Sequence, residues 1–178
     1  RYKDYSGGIY EDPAVTVVIG DARSFLERSE EIFDVIQANA VDTWAAASGG
    51  SLTLSESYLY TVEAFQLYLS RLEEEGILTF GRWAFNPPQQ TLRLAGLVID
   101  SMQRMGITEP WDKIVILADS SLEQGQGTPA VLLAKRVPFA VKELDQLRDL
   151  AEQGEMDLIY DPDSESQNKF SQLIRARN

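Results

Sequence analysis

The chain has 178 residues, of which 44% are hydrophobic and 25% charged, a composition typical of a soluble globular protein with one substantial core. Its 28 acidic and 16 basic residues give a net charge of -12, which argues against nucleic acid or an anionic membrane surface as a partner. Neither cysteine nor histidine occurs, so disulfides, thiolate metal sites and Ser-His-Asp triads are excluded. Any catalysis has to use carboxylates, Lys, Tyr or a bound cofactor.

The N-terminal part predicts a loop followed by two buried strands. Residues 1–13 contain glycine and proline breakers, and Ala14–Ile19 is β-branched and almost wholly apolar, as in a strand buried on both faces of a parallel sheet. A turn and a short helix follow, with Asp21 near the helix N-terminus. Phe33–Asn39 predicts the second strand.

The central part predicts two amphipathic helices around a third strand. The first helix is expected to be capped by Ser55 or Ser57 and to end at "EEEG" with Gly76 as its C-terminal cap. Its apolar positions are Tyr58, Val62, Phe65, Leu69 and Leu72. Ile77–Trp83 predicts the third strand, and the second helix has Leu94, Val98, Met102 and Met105 on one side.

The C-terminal part predicts two strands, Lys113–Asp119 and Pro129–Arg136, that run antiparallel because no crossover helix fits between them. An amphipathic helix (Val141–Glu155), a short strand and a terminal helix (Glu165–Arg177) follow. We therefore expect one α/β domain over residues 1–178: a loop (1–13), a sheet core (14–137) and a C-terminal helix, strand and helix (138–178). The expected fold is a three-layer, Rossmann-like sandwich whose mostly parallel sheet ends in an antiparallel strand pair.

Polar residues follow the second strand, at the sheet edge where α/β proteins bind ligands. Asp42 is a candidate general base, or an anchor that holds an ammonium group against the indole of Trp44, although a loop aspartate more commonly caps a turn. Asp21 is a candidate acceptor from a purine amino group, but it can equally cap a helix. The glycine clusters do not match the dinucleotide pattern G-x-G-x-x-G.

Four segments in order resemble the spermidine synthase family, and more closely the large spermidine synthase-like bacterial proteins, some of which carry membrane segments. They are "DPAVTVVIGDARSFL", "FDVIQANAVDTW", "LSESYLYTVEAFQLYLSRLEEEGILTFGRW" and "AVLLAKRVPF", spanning about Asp12 to Phe139. The resemblance implies the class I S-adenosylmethionine-dependent methyltransferase fold, whose sheet ends in an antiparallel hairpin.

Carried over residue by residue, the resemblance implies that Asp21 and Ala22 contact the adenine of decarboxylated S-adenosylmethionine. Asp42 falls on the second aspartate of the family's D-x-x-D-P motif, the proposed base that deprotonates the attacking amine. Tyr58 or Tyr60 falls near the family's tyrosine that positions the diamine.

Two residues of that motif differ here. The first aspartate is replaced by Asn39, which we place among the cofactor-binding residues, and the proline is replaced by Thr43. Asn39 removes one of two anionic contacts to a dicationic substrate such as putrescine.

The family's first two strands and glycine-rich loop would precede Ala14, and the 13 residues there contain neither. We therefore expect a truncated domain that is inactive alone. We also expect a non-standard sheet edge or a homodimer through an exposed edge.

The leading interpretation is a transferase of polyamine biosynthesis whose parent protein binds S-adenosylmethionine or decarboxylated S-adenosylmethionine and a small amine. Two alternatives stay open: a small-molecule methyltransferase, and a non-catalytic binding or regulatory domain of a larger membrane-attached protein. We expect neither nucleic acid binding nor a metal site, and no membrane insertion of this segment. The expected location is the cytoplasm. In the second alternative, the chain would be the soluble, cytoplasmic part of a membrane protein.

Overall fold

The structure of the chain is a computed structural model that describes residues 5, 7–39, 58–119, 127–163 and 167–176. Its helices are α1 (Ala22–Arg28), α2 (Val62–Ser70), α3 (Gln90–Arg104), α4 (Val141–Gln153) and α5 (Lys169–Ala176). Its strands are β1 (Phe33–Ala38), β2 (Leu72–Ala84), β3 (Ile114–Asp119), β4 (Thr128–Lys135) and β5 (Met156–Tyr160).

The five strands form one mixed sheet in the order β1-β2-β4-β3-β5. β1 runs parallel to β2, whereas β4 runs antiparallel to both β2 and β3, and β5 runs antiparallel to β3. The predicted α/β fold and its antiparallel strand pair are confirmed. The prediction of a mostly parallel sheet is confirmed only in part, since the described strands contain one parallel pairing.

Helices cover the two faces of the sheet unequally. The larger core packs α2, α3 and α5 against one face, and its fully buried side chains include Phe65, Val98 and Ile116. The opposite face carries α4, whose Leu144 and Ala151 pack against Val115 and Leu117 of β3. The amphipathic patterns place their apolar residues inward, and the burial of these side chains stabilises the three layers.

The strand predicted at Ala14–Ile19 is wrong. Residues 15–19 adopt no regular structure, and the exposed fraction reaches 53% at Val17, 55% at Val18 and 99% at Ile19. A strand needs a neighbour for its backbone hydrogen bonds, and the sheet pairs β1 with β2 rather than with this segment. β1 is consequently an edge strand of the described sheet. The expected non-standard edge or homodimer stays a prediction.

The helix end predicted at "EEEG" is also wrong, because these residues belong to β2. Thr61 caps α2 by accepting a hydrogen bond from Ala64 N at 3.1 Å, whereas the predicted caps Ser55 and Ser57 lie outside the described residues. The β1–β2 register shifts here, so that Phe33 pairs with Leu72 but Val35 pairs with Ile77. The three glutamates lie in this bulged part of the strand, which helical periodicity does not reveal.

Candidate functional site

The carboxyl end of β1 brings Asn39 against the backbone of β2. A Cβ atom built on Gly81 would lie 2.8 Å from Asn39 Oδ1, so the glycine allows the amide to approach this closely. Asn39 follows β1 directly and is exposed. Asn39 thus follows the carboxyl end of a parallel strand, where α/β folds commonly bind ligands, and its role as a site residue stays a prediction.

A cavity of about 580 Å3 opens beside Asn39. Gly81 pairs with Val131, which packs in the core cluster around α4, so the cavity lies on the α4 face of the sheet. Trp83 and Asp119 also line it, together with apolar side chains such as Met156. An indole, an amide and a carboxylate around an apolar wall suit a small organic ligand with a polar end.

Tyr60 packs against the larger core formed by α2 and α3. Its ring packs edge-on against Phe80, with 5.9 Å between centroids, and the guanidinium carbon of Arg82 lies 4.2 Å from the Tyr60 ring centroid. Phe80 faces the α2–α3 core, and Arg82, two residues further along the strand, faces the same way. Arg82 is also among the residues that line the cavity beside Asn39.

Arg23 connects the first turn of α1 with Tyr58, which precedes α2. Asp21 caps α1 by accepting a hydrogen bond from Ser24 N at 2.8 Å. Arg23 donates to the backbone oxygen of Tyr58 at 2.9 Å and stacks on its ring, with the guanidinium carbon 4.2 Å from the centroid. Ala22 begins the same helix. Asp21 acts as a cap, and its contact with adenine stays a prediction.

Tyr68 lies among these groups as a structural residue. Its ring stacks on Phe80, with centroids 5.6 Å apart, and its hydroxyl donates to Leu59 O at 3.2 Å. Burial raises the pKa of Tyr68 well above its ordinary value, with nearby Asp21 adding to the shift and Arg23 opposing it. The phenol is therefore neutral at physiological pH and holds the aromatic cluster in place.

Asp42 and Trp44, the predicted base and its aromatic neighbour, lie outside the described residues. Their roles stay predictions. Sequence reasoning missed Arg23, Arg82 and Asp119, although Arg82 and Asp119 do stand at the carboxyl ends of predicted strands. This position at a strand end is the sequence signal from which Arg82 and Asp119 could have been predicted as candidates.

In the part of the chain that the structure describes, no group of three or more Asp and Glu side chains is placed to hold a metal ion. None of the described helices is both long enough and apolar enough to cross a membrane.

No family model matches the chain. Its fold is similar to that of spermidine synthase from Thermotoga maritima, with a TM-score of 0.53 and 17% identity, covering 99% of this chain and 54% of that one. It is likewise similar to a spermidine synthase in complex with the transition state analogue AdoDATO, with a TM-score of 0.54, 17% identity and coverage of 99% and 55%. The chain thus has the fold of these synthases over about half their length, and the resemblance read from the sequence is confirmed at the level of the fold.

Proposed function

We propose that this chain forms part of a spermidine synthase-like domain that binds S-adenosylmethionine or decarboxylated S-adenosylmethionine together with a small amine. The observation that carries the proposal is the coincidence of the synthase fold with Asn39 at the carboxyl end of β1, packed on Gly81 beside the cavity. The sequence motif and the position of Asn39 at the end of β1 both support the proposal.

The proposed reaction is aminopropyl transfer. The nitrogen of a neutral amine attacks the carbon next to the sulfonium, the carbon–sulfur bond breaks, and methylthioadenosine leaves with the electron pair. The amine proton goes to Asp42, which we propose as the base from its place in the sequence. Asp21 and Ala22 would contact the adenine, and the tyrosines at 58 and 60 would orient the acceptor.

The chain spans about half the length of the synthases that it matches. We therefore propose that catalysis needs the longer protein and that the isolated chain is inactive. Titration calorimetry of both forms with S-adenosylmethionine, decarboxylated S-adenosylmethionine and methylthioadenosine tests this. We expect the longer form to bind at least one of the three. If neither form binds any of them, the enzyme interpretation fails.

A variant at Asp21 tests the adenine contact separately from the helix cap. Asp21→Ser removes the carboxylate but keeps a side chain that caps a helix well. We expect about a tenfold loss of nucleoside affinity, since one charge-assisted hydrogen bond is removed, with an unchanged melting temperature. Unchanged affinity would leave Asp21 as a cap alone. Thr61→Ser, which conserves the cap of α2, is the matched control.

A non-catalytic binding domain is the second candidate. Asn39 favours it, because an amide provides neither the charge nor the basicity of the aspartate in the family's motif. Restoring the family's aspartate by Asn39→Asp distinguishes the two. Aminopropyl transfer that rises in this variant supports an enzyme with altered specificity, whereas nucleoside binding without transfer by either protein supports the binding domain. Methyl transfer from S-adenosylmethionine would instead identify a small-molecule methyltransferase.

A further inference from the structure

A second cavity, of about 510 Å3, opens on the α3 and α5 side of the sheet, where β2 and β3 end. Its floor contains small side chains where larger ones fill the rest of the core. Ala84 follows Phe80 on the same face of β2, and Ala118 follows Ile116 on the same face of β3. Because an alanine leaves the space that a larger side chain would fill, a recess remains between the sheet and α5. Its volume is typical of small-molecule sites.

Two aromatic rings line this recess, and packing holds both. A Cβ atom built on Gly127 would lie 2.6 Å from the ring of Phe85, so this ring packs directly on the backbone of the glycine. Phe170 of α5 is 5% exposed and belongs to the larger core. Together with Ile159 of β5, the rings form an apolar wall suited to a hydrocarbon or aromatic group.

One carboxylate and one ammonium group also line the cavity, from Asp157 on β5 and Lys169 at the start of α5. Both side chains belong to exposed residues. In the described parts of the chain neither charged group has a hydrogen bond or an ion pair, and the two are not paired with each other. Both charges are therefore available to a ligand.

The positive group of the cavity is the lysine rather than the end of the helix. Asn168 Oδ1 accepts hydrogen bonds from Phe170 N and Ser171 N, each at 2.9 Å. These amides at the start of α5 are already satisfied by this cap, whereas Lys169 Nζ is not.

A zwitterion with an apolar substituent matches these features. Its carboxylate would pair with Lys169, its ammonium group would pair with Asp157, and its substituent would pack against the apolar wall. A simple amine or a simple carboxylate would satisfy one of the two charges and leave the other unpaired. The side-chain amides of Asn86 and Gln167, which also line the cavity, can both donate and accept hydrogen bonds to the same polar groups.

We propose that this cavity binds a free α-amino acid with an apolar side chain, with Asp157 holding its ammonium group and Lys169 holding its carboxylate. The proposal goes beyond the proposed function, because neither of these two residues lines the cavity beside Asn39. It does not require aminopropyl transfer or the binding of a nucleoside.

Two series of probes test the need for both charges. In the first, L-phenylalanine is compared with phenethylamine, which lacks the carboxylate, and with 3-phenylpropanoate, which lacks the ammonium group. In the second, L-leucine is compared in the same way with 3-methylbutylamine and 4-methylpentanoate. Calorimetry on the full-length protein measures all six. In at least one series, we expect the amino acid to bind about tenfold more tightly than either analogue, because each analogue loses one charge-assisted contact.

Two variants assign the two contacts in a crossed pattern. Asp157→Asn should reduce the preference over the carboxylate analogue to less than about threefold and leave the preference over the amine. Lys169→Gln should do the reverse. Asp149→Asn and Lys142→Gln, at exposed positions of α4 outside the lining, are the matched controls and should change neither preference. Melting temperatures check that all four variants are folded.

The proposal is overturned if none of the six probes binds, or if an analogue binds as tightly as its amino acid in both series. It is also overturned if Asp157→Asn and Lys169→Gln leave both preferences unchanged, since the amino acid would then bind elsewhere. None of these results affects the function proposed for the site at Asn39, which nucleoside binding tests separately.

Discussion

Two apolar segments of similar composition, Ala14–Ile19 and β3, have opposite structures in this molecule. β3 lies between β4 and β5, and Ile114, Val115 and Ile116 are completely buried. Ala14–Ile19 joins none of the described strands, and Ile19 is 99% exposed. Strand propensity is comparable in the two, since both are rich in valine and isoleucine. The difference lies in neighbours: a strand forms where adjacent strands accept its hydrogen bonds and a helical layer covers its side chains.

The edge strand β1 is also partly exposed, unlike the central strand β3. Within the described sheet β1, whose Val35 is 56% exposed, pairs with β2 alone, and the side chains of residues 15–19 nearby in the chain are uncovered. Exposed strand edges and apolar patches are surfaces where further chain or another molecule binds. The dimer predicted through this edge stays a prediction, and sedimentation velocity of the chain at several concentrations tests it.

The largest expected difference between the two segments comes from the same substitution made in each. Ile116→Ala removes a fully buried side chain from the core between α3 and the sheet, and we expect it to lower the free energy of unfolding by about 2–5 kcal/mol. Ile19→Ala removes an exposed side chain, and we expect a change within about 0.5 kcal/mol. Urea unfolding followed by circular dichroism measures both. A cost above about 1 kcal/mol at Ile19 would show that residues 15–19 pack in solution.

The next largest effect on stability is expected at the ion cluster around Lys135. Lys135 is fully buried, and its Nζ bonds both Glu143 oxygens, at 2.8 and 3.0 Å, and Glu75 Oε2 at 2.8 Å. Glu143 also accepts from Ala140 N at 2.8 Å at the start of α4. We expect Glu143→Gln to lower the free energy of unfolding by about 1–3 kcal/mol, because the buried cation loses its main partner. The matched Glu75→Gln, at a carboxylate that is 75% exposed, should cost less than about 1 kcal/mol.

The pH dependence of this cluster has a definite sign. Burial alone would raise the pKa of Glu143, but the hydrogen bonds from Lys135 and Ala140 N outweigh it and lower the pKa below its ordinary 4.5. The contribution to stability is therefore present above the unfolded pKa and is lost as the pH falls through the lower folded pKa. Unfolding curves of the wild type and Glu143→Gln should differ at about pH 6 and converge only as the pH falls through the lowered pKa of folded Glu143. A constant difference would mean that the ion pair does not cause the loss.

Sequence periodicity predicts some elements of this fold correctly and fails at others. Periodicity locates β3, β4 and the amphipathic faces of α3 and α4, because each of these elements is buried as its pattern requires. It fails at Ala14–Ile19, where the pattern suits a strand but the described sheet offers no partner strand. It fails also at residues 73–75, where three glutamates suit a helix end although the register shift against β1 places them in a strand.

The candidate site is predictable residue by residue but not as an arrangement. The motif indicates Asn39, Tyr58 and Tyr60 as site residues, and their roles stay predictions, although Asn39 does follow β1 directly. Arg23 meets Tyr58 across 35 residues of sequence, and Arg82 meets Tyr60 across the α2–β2 junction. Such contacts depend on the packing of α1 against α2 and on the face that each β2 residue presents, which neither spacing nor composition specifies.

The smallest expected effect is the difference in stability between Gly76→Ala and Gly81→Ala, two glycines of β2 that lie close to β1. A Cβ on Gly76 would lie 3.0 Å from Phe33 O and 3.1 Å from Asp34 O, so Gly76→Ala pushes against the backbone of β1 and should cost about 1–2 kcal/mol. At Gly81 the nearest atom is the side-chain Oδ1 of Asn39, which can rotate away, so Gly81→Ala should cost less than about 1 kcal/mol. Thermal unfolding compares the two variants. Equal costs would mean that Asn39 is held as rigidly as the strand backbone, and its amide would then be a fixed wall of the cavity rather than an adjustable contact.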